Sequence, residues 1–238
     1  TTPQYNDMVI WKYGSTGTLD STFSSDGIVT YDGGAGNQND IGHSIVIDGD
    51  GGIYVVGYSY TSNGTNDMAL WKYKPDGTLD STFGGGDGIV THHNAAGGNG
   101  DDQGFGLVLG SDVSIYVVGY SLGSGTNYDM ALWKYKPDGT LDSTFGGGDG
   151  IVTHHNAAGG NGSDKGFGIT IDTLDSLYIT GHSHGLTDDL SIWKFDNNGS
   201  LDTSFGGDGI ITHADASGGS SVDEGRDIAL DGSGVIYV

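Results

Sequence analysis

The sequence predicts an all-β fold, a closed four-bladed β-propeller in which each blade is a four-stranded antiparallel sheet. Its four tryptophans recur at intervals of 60, 62 and 60 residues, and each follows the same short apolar segment. They are Trp11, Trp71, Trp133 and Trp193. A period of this size is typical of arrays and propellers, whose repeats bury their apolar faces against one another. We therefore predict one domain over residues 1–238, built from four repeats, which is a whole protein or one module of a larger one.

Each repeat contains four short segments with the composition of β-strands. In the copy that starts at Gly104 these segments are 104–109, 115–121, 129–135 and 150–154. The second and third are rich in β-branched and aromatic residues, and Gly and Asp clusters separate all four. Pro137 and Gly139 form a turn after the third segment, and a longer link leads to the fourth. The order predicts an antiparallel meander, and no segment shows a helical period.

The strands of this meander are apolar on both faces, so each sheet needs a neighbour on each side. In the segment 68–73, for example, neither alternating set of side chains is wholly polar. Radial packing of blades supplies neighbours on both sides. A linear solenoid also does so, but it needs polar capping repeats, and here the first and last copies resemble the middle ones.

The first copy supplies a third and a fourth strand, and the last copy supplies a first and a second. If the segment 235–238 lies beside the segment 7–11, these four strands complete one blade and leave no half-blade edge unpaired. We predict this closure. The alternative is a stretch of a longer propeller whose other blades lie outside this sequence.

Charge and composition exclude several classes of partner. The net charge of -23, with only 8 Lys and Arg residues, argues against nucleic acid, whose phosphates need clustered basic side chains. No apolar run approaches the roughly 20 residues of a membrane span, so we expect no membrane insertion. The lack of cysteine excludes a disulfide scaffold. Abundant Tyr, Asn, Ser, Thr and Gly favour an exported bacterial protein, extracellular or at the cell surface.

The acidic residues are almost all aspartates, which suit turns and calcium loops. One set stands two residues before the glycine that opens each first strand: Asp40, Asp102, Asp164 and Asp223. If the first strand is innermost, these carboxylates ring one mouth of the central channel, where Ca²⁺ would relieve their repulsion. The alternative is that each aspartate caps its own turn or pairs with the neighbouring blade.

The loops after the second and fourth strands are expected to emerge on the same side of the disc. Loops on a rigid scaffold commonly carry binding sites, and these loops combine aromatic, amide, imidazole and hydroxyl groups that suit sugars. The candidate ligand-binding residues are Tyr58, Tyr60, Asn63, Tyr120, His93, His155, His182 and His184. The alternative is that these loops are Gly-rich linkers. No spacing of histidines supports a transition-metal site.

The repeated tryptophans are predicted to wedge between blades, each with a backbone partner for its indole nitrogen. The equivalent phenylalanines are expected to anchor the long link onto the disc. They are Phe23, Phe83, Phe145 and Phe205.

The segment from Lys74 to Gly88, followed by Ile-Val-Thr, resembles the delta-60 repeat family, and the segment 115–121 is similar to related bacterial β-propeller repeats. The resemblance covers essentially the whole chain, in all four copies. It implies a propeller in exported bacterial proteins, often as one module of a large surface or adhesin-like chain. It implies no activity, because fold and function are separate questions.

The chain contains no cysteine nucleophile, no Gly-x-Ser-x-Gly elbow and no metalloprotease helix. We therefore expect a non-enzymatic binding or display module, stabilised by calcium, that recognises a glycan or another surface ligand. One alternative is a propeller enzyme of the carbohydrate lyase, hydrolase or lactonase type. Another is a purely structural spacer or docking module. The sequence leaves the oligomeric state open.

Overall fold

The computed structural model describes residues 5–33, 38–215 and 222–238. Within these ranges all regular secondary structure is β, and no helix is long and apolar enough to cross a membrane. The strands follow one another along the chain as β1 (Met8–Trp11), β2 (Ile28–Tyr31), β3 (Asp40–Ile47), β4 (Ile53–Tyr60), β5 (Asn66–Tyr73), β6 (Ile89–His92), β7 (Gly97–Leu109), β8 (Ile115–Gly123), β9 (Tyr128–Tyr135), β10 (Ile151–His154), β11 (Asp164–Ile171), β12 (Leu177–His184), β13 (Asp188–Phe195), β14 (Ile210–His213), β15 (Ala229–Leu230) and β16 (Ile236–Tyr237).

These strands form antiparallel meanders, as the sequence predicts. Blade I contains β3 to β6, blade II contains β7 to β10, and blade III contains β11 to β14. Two further sheets have two strands each: the first half-blade, β1 and β2, and the last half-blade, β15 and β16. The first strands of successive sheets contact one another, from β3 to β7, from β7 to β11 and from β11 to β15. These contacts place the first strand at the inner edge of each blade.

Each first strand of a full blade contains a β-bulge directly after its opening glycine. The register shifts between Gly42 and Ser44 in β3, and at the equivalent places in β7 and β11. The extra residue of each bulge is aromatic or histidine, namely His43, Phe105 and Phe167. Because a bulge re-aims its side chain, these rings contact one another from blade to blade. His43 stacks on Phe105 at 4.3 Å between ring centroids, and Phe105 meets Phe167 edge to face at 5.1 Å.

The tryptophans wedge between sheets, as predicted, wherever a preceding sheet is present. Trp71, Trp133 and Trp193 are fully buried in three apolar cores, which lie between the first half-blade and blade I, between blades I and II, and between blades II and III. The predicted backbone partner for the indole nitrogen is wrong for Trp193, because its Nε1 donates to Nδ1 of His154 on the preceding blade, at 3.3 Å. The wedge thus contacts the outermost strand of its neighbour.

The link phenylalanines anchor the long connection as expected. Phe23, Phe83 and Phe145 are fully buried, and Phe205 on blade III is half-buried. Within each link an aspartate organises the turn: Asp142 accepts the backbone N–H of Thr144 at 3.1 Å and the ammonium of Lys134 at 3.2 Å. The link is therefore fixed at both its apolar and its charged groups.

The closure of the ring is not confirmed. Among the residues that the structure describes, β1 pairs with β2 only and β16 pairs with β15 only. Both edges expose large apolar side chains, because Trp11 is 55% exposed and Tyr237 is 60% exposed. The equivalent Trp71 and Tyr54 of blade I are buried. The first and last sheets are thus apolar edges without a partner strand in the described ranges.

Candidate functional site: the clefts between blades

The loops after the second and fourth strands do meet at one end of the blades. In blade II, Gly97, which follows β6 of blade I, pairs with Gly123 at the end of β8. Between blades II and III the loop 123–127 and the segment 155–162 line a cleft of about 260 Å³. The Asn127 side-chain amide donates to the Asn161 carbonyl, which ties the two walls together. This cleft is called the loop cleft below.

The side chains that line the loop cleft are of polar types and include one carboxylate. The lining is formed by Gly123, Ser124, Gly125, Thr126, Asn127, Asp129, His155, Asn156, Gly160, Asn161 and Gly162. Burial raises the pKa of Asp129, the charge of Asp164 raises it further, and His155 opposes the shift. Hydroxyl, amide, imidazole and carboxyl groups in one cleft can donate to and accept from a hydroxyl-rich ligand.

One blade earlier, the same positions form a tighter corner of two aspartates and a histidine. His93 Nδ1 lies 3.2 Å from Asp67 Oδ1 and 3.8 Å from Asp102 Oδ2. Asp102 also accepts the backbone N–H groups of Asn94 and Ala95, at 2.9 and 3.1 Å. The corner therefore fixes the start of the loop that follows β6.

The four aspartates predicted to ring the channel occupy equivalent places at the start of the first strands. Asp102 and Asp164 each cap the loop that precedes them, since Asp164 accepts the N–H groups of Asn156 and Ala157. The N–H group of Asp223 donates to the carbonyl of Asp188 in β13, and that of Asp40 donates to the carbonyl of Asn6, just before β1. In the described ranges, no group of three or more potential metal ligands contains two of the four. Their convergence on one calcium ion stays a prediction.

The predicted ligand-binding tyrosines lie in strands rather than in loops, because the second strands extend further than the sequence suggests. Tyr58 and Tyr60 are in β4, and the Tyr58 ring packs 5.7 Å from that of His43. Tyr120, in β8, is buried and donates its hydroxyl to Gln103 Oε1 at 2.8 Å. Asn63 is exposed in the turn after β4. The loop cleft thus lacks the expected aromatic platform.

A comparison with known protein families finds a match in each full blade. The model of a domain of unknown function (DUF5122) beta-propeller matches residues 49–83, 111–145 and 176–205. Each match runs from the turn before a second strand to the phenylalanine of the link, once in each full blade. These three stretches of the chain are therefore similar to this β-propeller family. The resemblance to bacterial β-propeller repeats is thereby confirmed.

No curated protein matches this propeller. Among solved structures, a fucose lectin from Kordia zhangzhouensis in complex with methyl-fucoside is similar over 65% of this chain and 92% of the lectin chain, with 13% identity and a TM-score of 0.38. A likeness at that level supports no statement about ligand or activity.

The propeller has a second polar cleft, of about 470 Å³, between blade III and the last half-blade. Its residues include Asn127, Ser163, Lys165, His182, His184, Asp188 and Glu224. His182 and His184 are in β12, not in the loop after it, and as alternate residues of one strand they share a face. The sequence analysis did not single out Asp188, Glu224 or Lys165. The available signal was Glu224, the single glutamate of the chain.

A third cavity, of about 300 Å³, lies along the inner strands, beside the row of contacting rings formed by His43, Phe105 and Phe167. At the end of this row the Arg226 guanidinium lies over the Phe167 ring, with its Cζ 4.4 Å from the ring centroid. Sequence patterns do not reveal this row of side chains, because only the bulge turns them towards one another.

Proposed function

We propose that this propeller is a non-enzymatic binding or display module, and that its loop cleft holds part of a hydroxyl-rich ligand such as a glycan. The supporting observation is the set of polar side chains that line the cleft. A hydrogen bond between Asn127 and Asn161 joins the two walls of the cleft, which lie on a rigid scaffold. At about 260 Å³ the cleft is smaller than a typical drug-sized pocket and suits one small polar unit.

A carbohydrate-active enzyme is the second candidate, because one observation favours it. A half-buried carboxyl group with a raised pKa, such as Asp129, can act as a general acid. Hydrolysis of a glycosidic bond ordinarily needs a second carboxylate, and among the described residues that line the cleft Asp129 is the only acid. The nearby Asp164 is fully buried and holds two backbone N–H groups. Binding is therefore the better supported function.

The test is a glycan array on the full chain, followed by calorimetry with any glycan that binds. Asp129→Asn and Asn161→Ala should weaken binding at least tenfold, because each removes a polar group from the cleft. Asn63→Ala, in the corresponding loop of blade I, should leave the affinity unchanged. An array without hits would favour the structural spacer or docking role. If the parent chain releases reducing ends from a glycan and Asp129→Asn does not, the result would favour the enzyme.

Calcium and location belong to the same proposal. The supporting observation for Ca²⁺ is the acidic chain with its four equivalent aspartates, and a melting midpoint that does not change with a chelator would end it. An extracellular or cell-surface location in a bacterium, as one module of a larger protein, follows from the family resemblance. The partner in that setting is a surface glycan rather than nucleic acid or the membrane interior.

We also propose that β16 pairs with β1 and closes the ring. The register of β15 with β16 matches Ala229 with Tyr237, as β3 and β4 of blade I match Val46 with Tyr54. In blade I, Tyr54 then lies opposite Lys72 of the third strand. The same register in the proposed blade places Tyr237 opposite Lys12.

The side chains at this junction are complementary. In the full blades a third-strand lysine lies over the ring of the opposite second-strand tyrosine, at 5.1 Å for Lys72 and Tyr54 and 5.3 Å for Lys134 and Tyr116. Lys12 lies over the Phe23 ring of its link, at 5.6 Å. A tyrosine at the position of Tyr237 would complete the arrangement seen in the other blades and cover exposed apolar surface.

A further inference from the structure

The cleft between blade III and the last half-blade gathers two imidazoles and two carboxylates, from His182, His184, Asp188 and Glu224. We propose that this group, called the histidine cluster below, binds one divalent transition-metal ion of the zinc class. The site is distinct from the loop cleft and from the ring of four aspartates.

The histidine cluster differs from what the other blades carry at the same positions. His184 pairs with Asp188 across β12 and β13, as Leu122 pairs with Tyr128 in blade II and Tyr60 with Asn66 in blade I. Copies that are otherwise close to one another therefore have metal-ligating side chains at these positions in blade III only. Glutamate occurs in the chain at position 224 alone, where Lys165 and Gln103 stand in the preceding copies.

Three members of the cluster have ligand atoms close enough to share one small ion, and the fourth, His184, contacts one of them. His184 Nδ1 lies 2.5 Å from Asp188 Oδ1, and His182 Nδ1 lies 3.3 Å from Glu224 Oε1. The ligand atoms of His182, Asp188 and Glu224 lie within 4.8 Å of one another. Tetrahedral zinc with bonds of about 2.0–2.1 Å separates its ligand atoms by about 3.3–3.4 Å. Side-chain rotation would bring the ligand atoms of His182, Asp188 and Glu224 onto one centre, with His184 beside Asp188 as the fourth group.

The orientation of His182 is an independent indication. Its side chain is more than nine-tenths buried, and its Nδ1 makes no hydrogen bond although Glu224 Oε1 is 3.3 Å away. A buried ring nitrogen without a hydrogen bond is uncommon, because burial removes its contact with water. His182 Nδ1 and Glu224 Oε1 are close without forming a hydrogen bond, as expected when both atoms face one bound ion rather than each other.

Neighbouring charges decide which ion suits the cluster. The guanidinium of Arg226 pairs with Glu224, and the ammonium of Lys165 lies in the same cleft, over the rings of Tyr120 and Tyr128. Because these cations already offset the carboxylates, a hard ion that depends on carboxylate charge, such as Ca²⁺, gains little here. Imidazole nitrogens favour zinc-class ions instead.

The test is calorimetric titration of Zn²⁺ into the chelator-stripped full chain, repeated with Co²⁺, whose visible spectrum reports tetrahedral coordination. We expect one Zn²⁺ per chain. His184→Gln and Glu224→Gln should each weaken binding by at least about 10-fold, because loss of even a hydrogen-bond partner of a metal ligand typically costs about 10- to 100-fold in affinity. Both side chains are partly exposed, so the variants should fold, and circular dichroism checks this.

The matched control is His93→Gln, because His93 with Asp67 and Asp102 is the other group of potential ligands in the described ranges. This variant should bind Zn²⁺ like the parent chain. The proposal is overturned if the chain shows no saturable Zn²⁺ binding, if His184→Gln and Glu224→Gln bind unchanged, if binding is lost in His93→Gln instead, or if Ca²⁺ displaces Zn²⁺. None of these outcomes depends on whether the loop cleft binds a glycan.

Discussion

A single hydrogen bond between blades depends on the protonation of one histidine. The indole N–H of Trp193 donates to Nδ1 of His154, so this nitrogen has to be unprotonated. Burial lowers the pKa of His154 below its usual value of 6.5. Because the folded protein binds this proton more weakly than the unfolded chain does, His154 contributes stability above about pH 6.5 that is lost as the pH falls. His43 and His92 are shifted in the same direction by the same cause.

We predict that the free energy of unfolding falls between about pH 7.5 and about pH 5.5, and that His154→Gln makes this dependence weaker. At neutral pH the substitution should cost about 1 kcal/mol, for the lost hydrogen bond and part of its packing. Urea unfolding at several pH values measures both effects. His213→Gln, at the exposed equivalent position of blade III, is the matched control. An equal pH dependence in His154→Gln and the parent chain would contradict the assignment.

At the scale of the element, the inner edge of each blade is set by a bulge and a close backbone approach. A Cβ atom on Gly119 of β8 would lie 1.8 Å from the carbonyl oxygen of Gln103 in β7. Gly57 and Gly181 meet the same obstacle in blades I and III. The glycine in the middle of each second strand is therefore required by the partner strand and not by its own dihedral angles.

We predict that Gly119→Ala destabilises the propeller by about 3 kcal/mol, because the first strand has to move away and the bulge with it. Gly125→Ala, in the loop after β8, should change stability by less than about 0.5 kcal/mol, since an added Cβ meets no atom within 4 Å. Chemical denaturation of the two variants compares them directly. Equal stabilities would show that the first strand adapts without loss.

Sequence patterns predicted the elements that depend on local composition, and missed those that depend on contact between copies. The segments 115–121 and 129–135 correspond closely to β8 (Ile115–Gly123) and β9 (Tyr128–Tyr135). The segment 104–109 covers only part of β7 (Gly97–Leu109), because the earlier residues are held by pairing with Gly123 across a Gly-rich stretch without strand composition.

The same limit applied to the candidate sites. The sequence indicated His93 and Asp102 separately, but their meeting with Asp67 requires the third strand of one blade to lie beside the first strand of the next. Likewise, the sequence pattern predicts a loop at His182 and His184, whereas the pairing of β12 with β13 continues to His184 and Asp188. This pairing sets His184 beside Asp188, whereas His182 meets Glu224 from the segment before β15.

At the scale of the whole molecule, each sheet is stabilised by the sheets on either side. Trp133 is buried between blades I and II, whereas Trp11 at the first edge is largely exposed. The first edge exposes Trp11 and Tyr13, and the last edge exposes Tyr237. Such edges favour strand pairing, either within the chain or between two copies. The proposed register is specific enough to distinguish these arrangements.

We predict that Lys12→Cys combined with Tyr237→Cys forms a disulfide within one chain. In the proposed closed blade these residues face each other, and facing Cα atoms of antiparallel strands lie about 4.5–5.5 Å apart, within the range of a disulfide. The chain has no other cysteine to compete. Non-reducing electrophoresis should show a monomer of altered mobility, and its melting temperature should exceed that of the reduced form. The pair Lys12→Cys with Asp231→Cys, in which the second cysteine lies in the turn between β15 and β16, should remain reduced. Covalent dimers in place of the cross-linked monomer would show that β1 pairs with a second copy, and free thiols throughout would show that the ring is open.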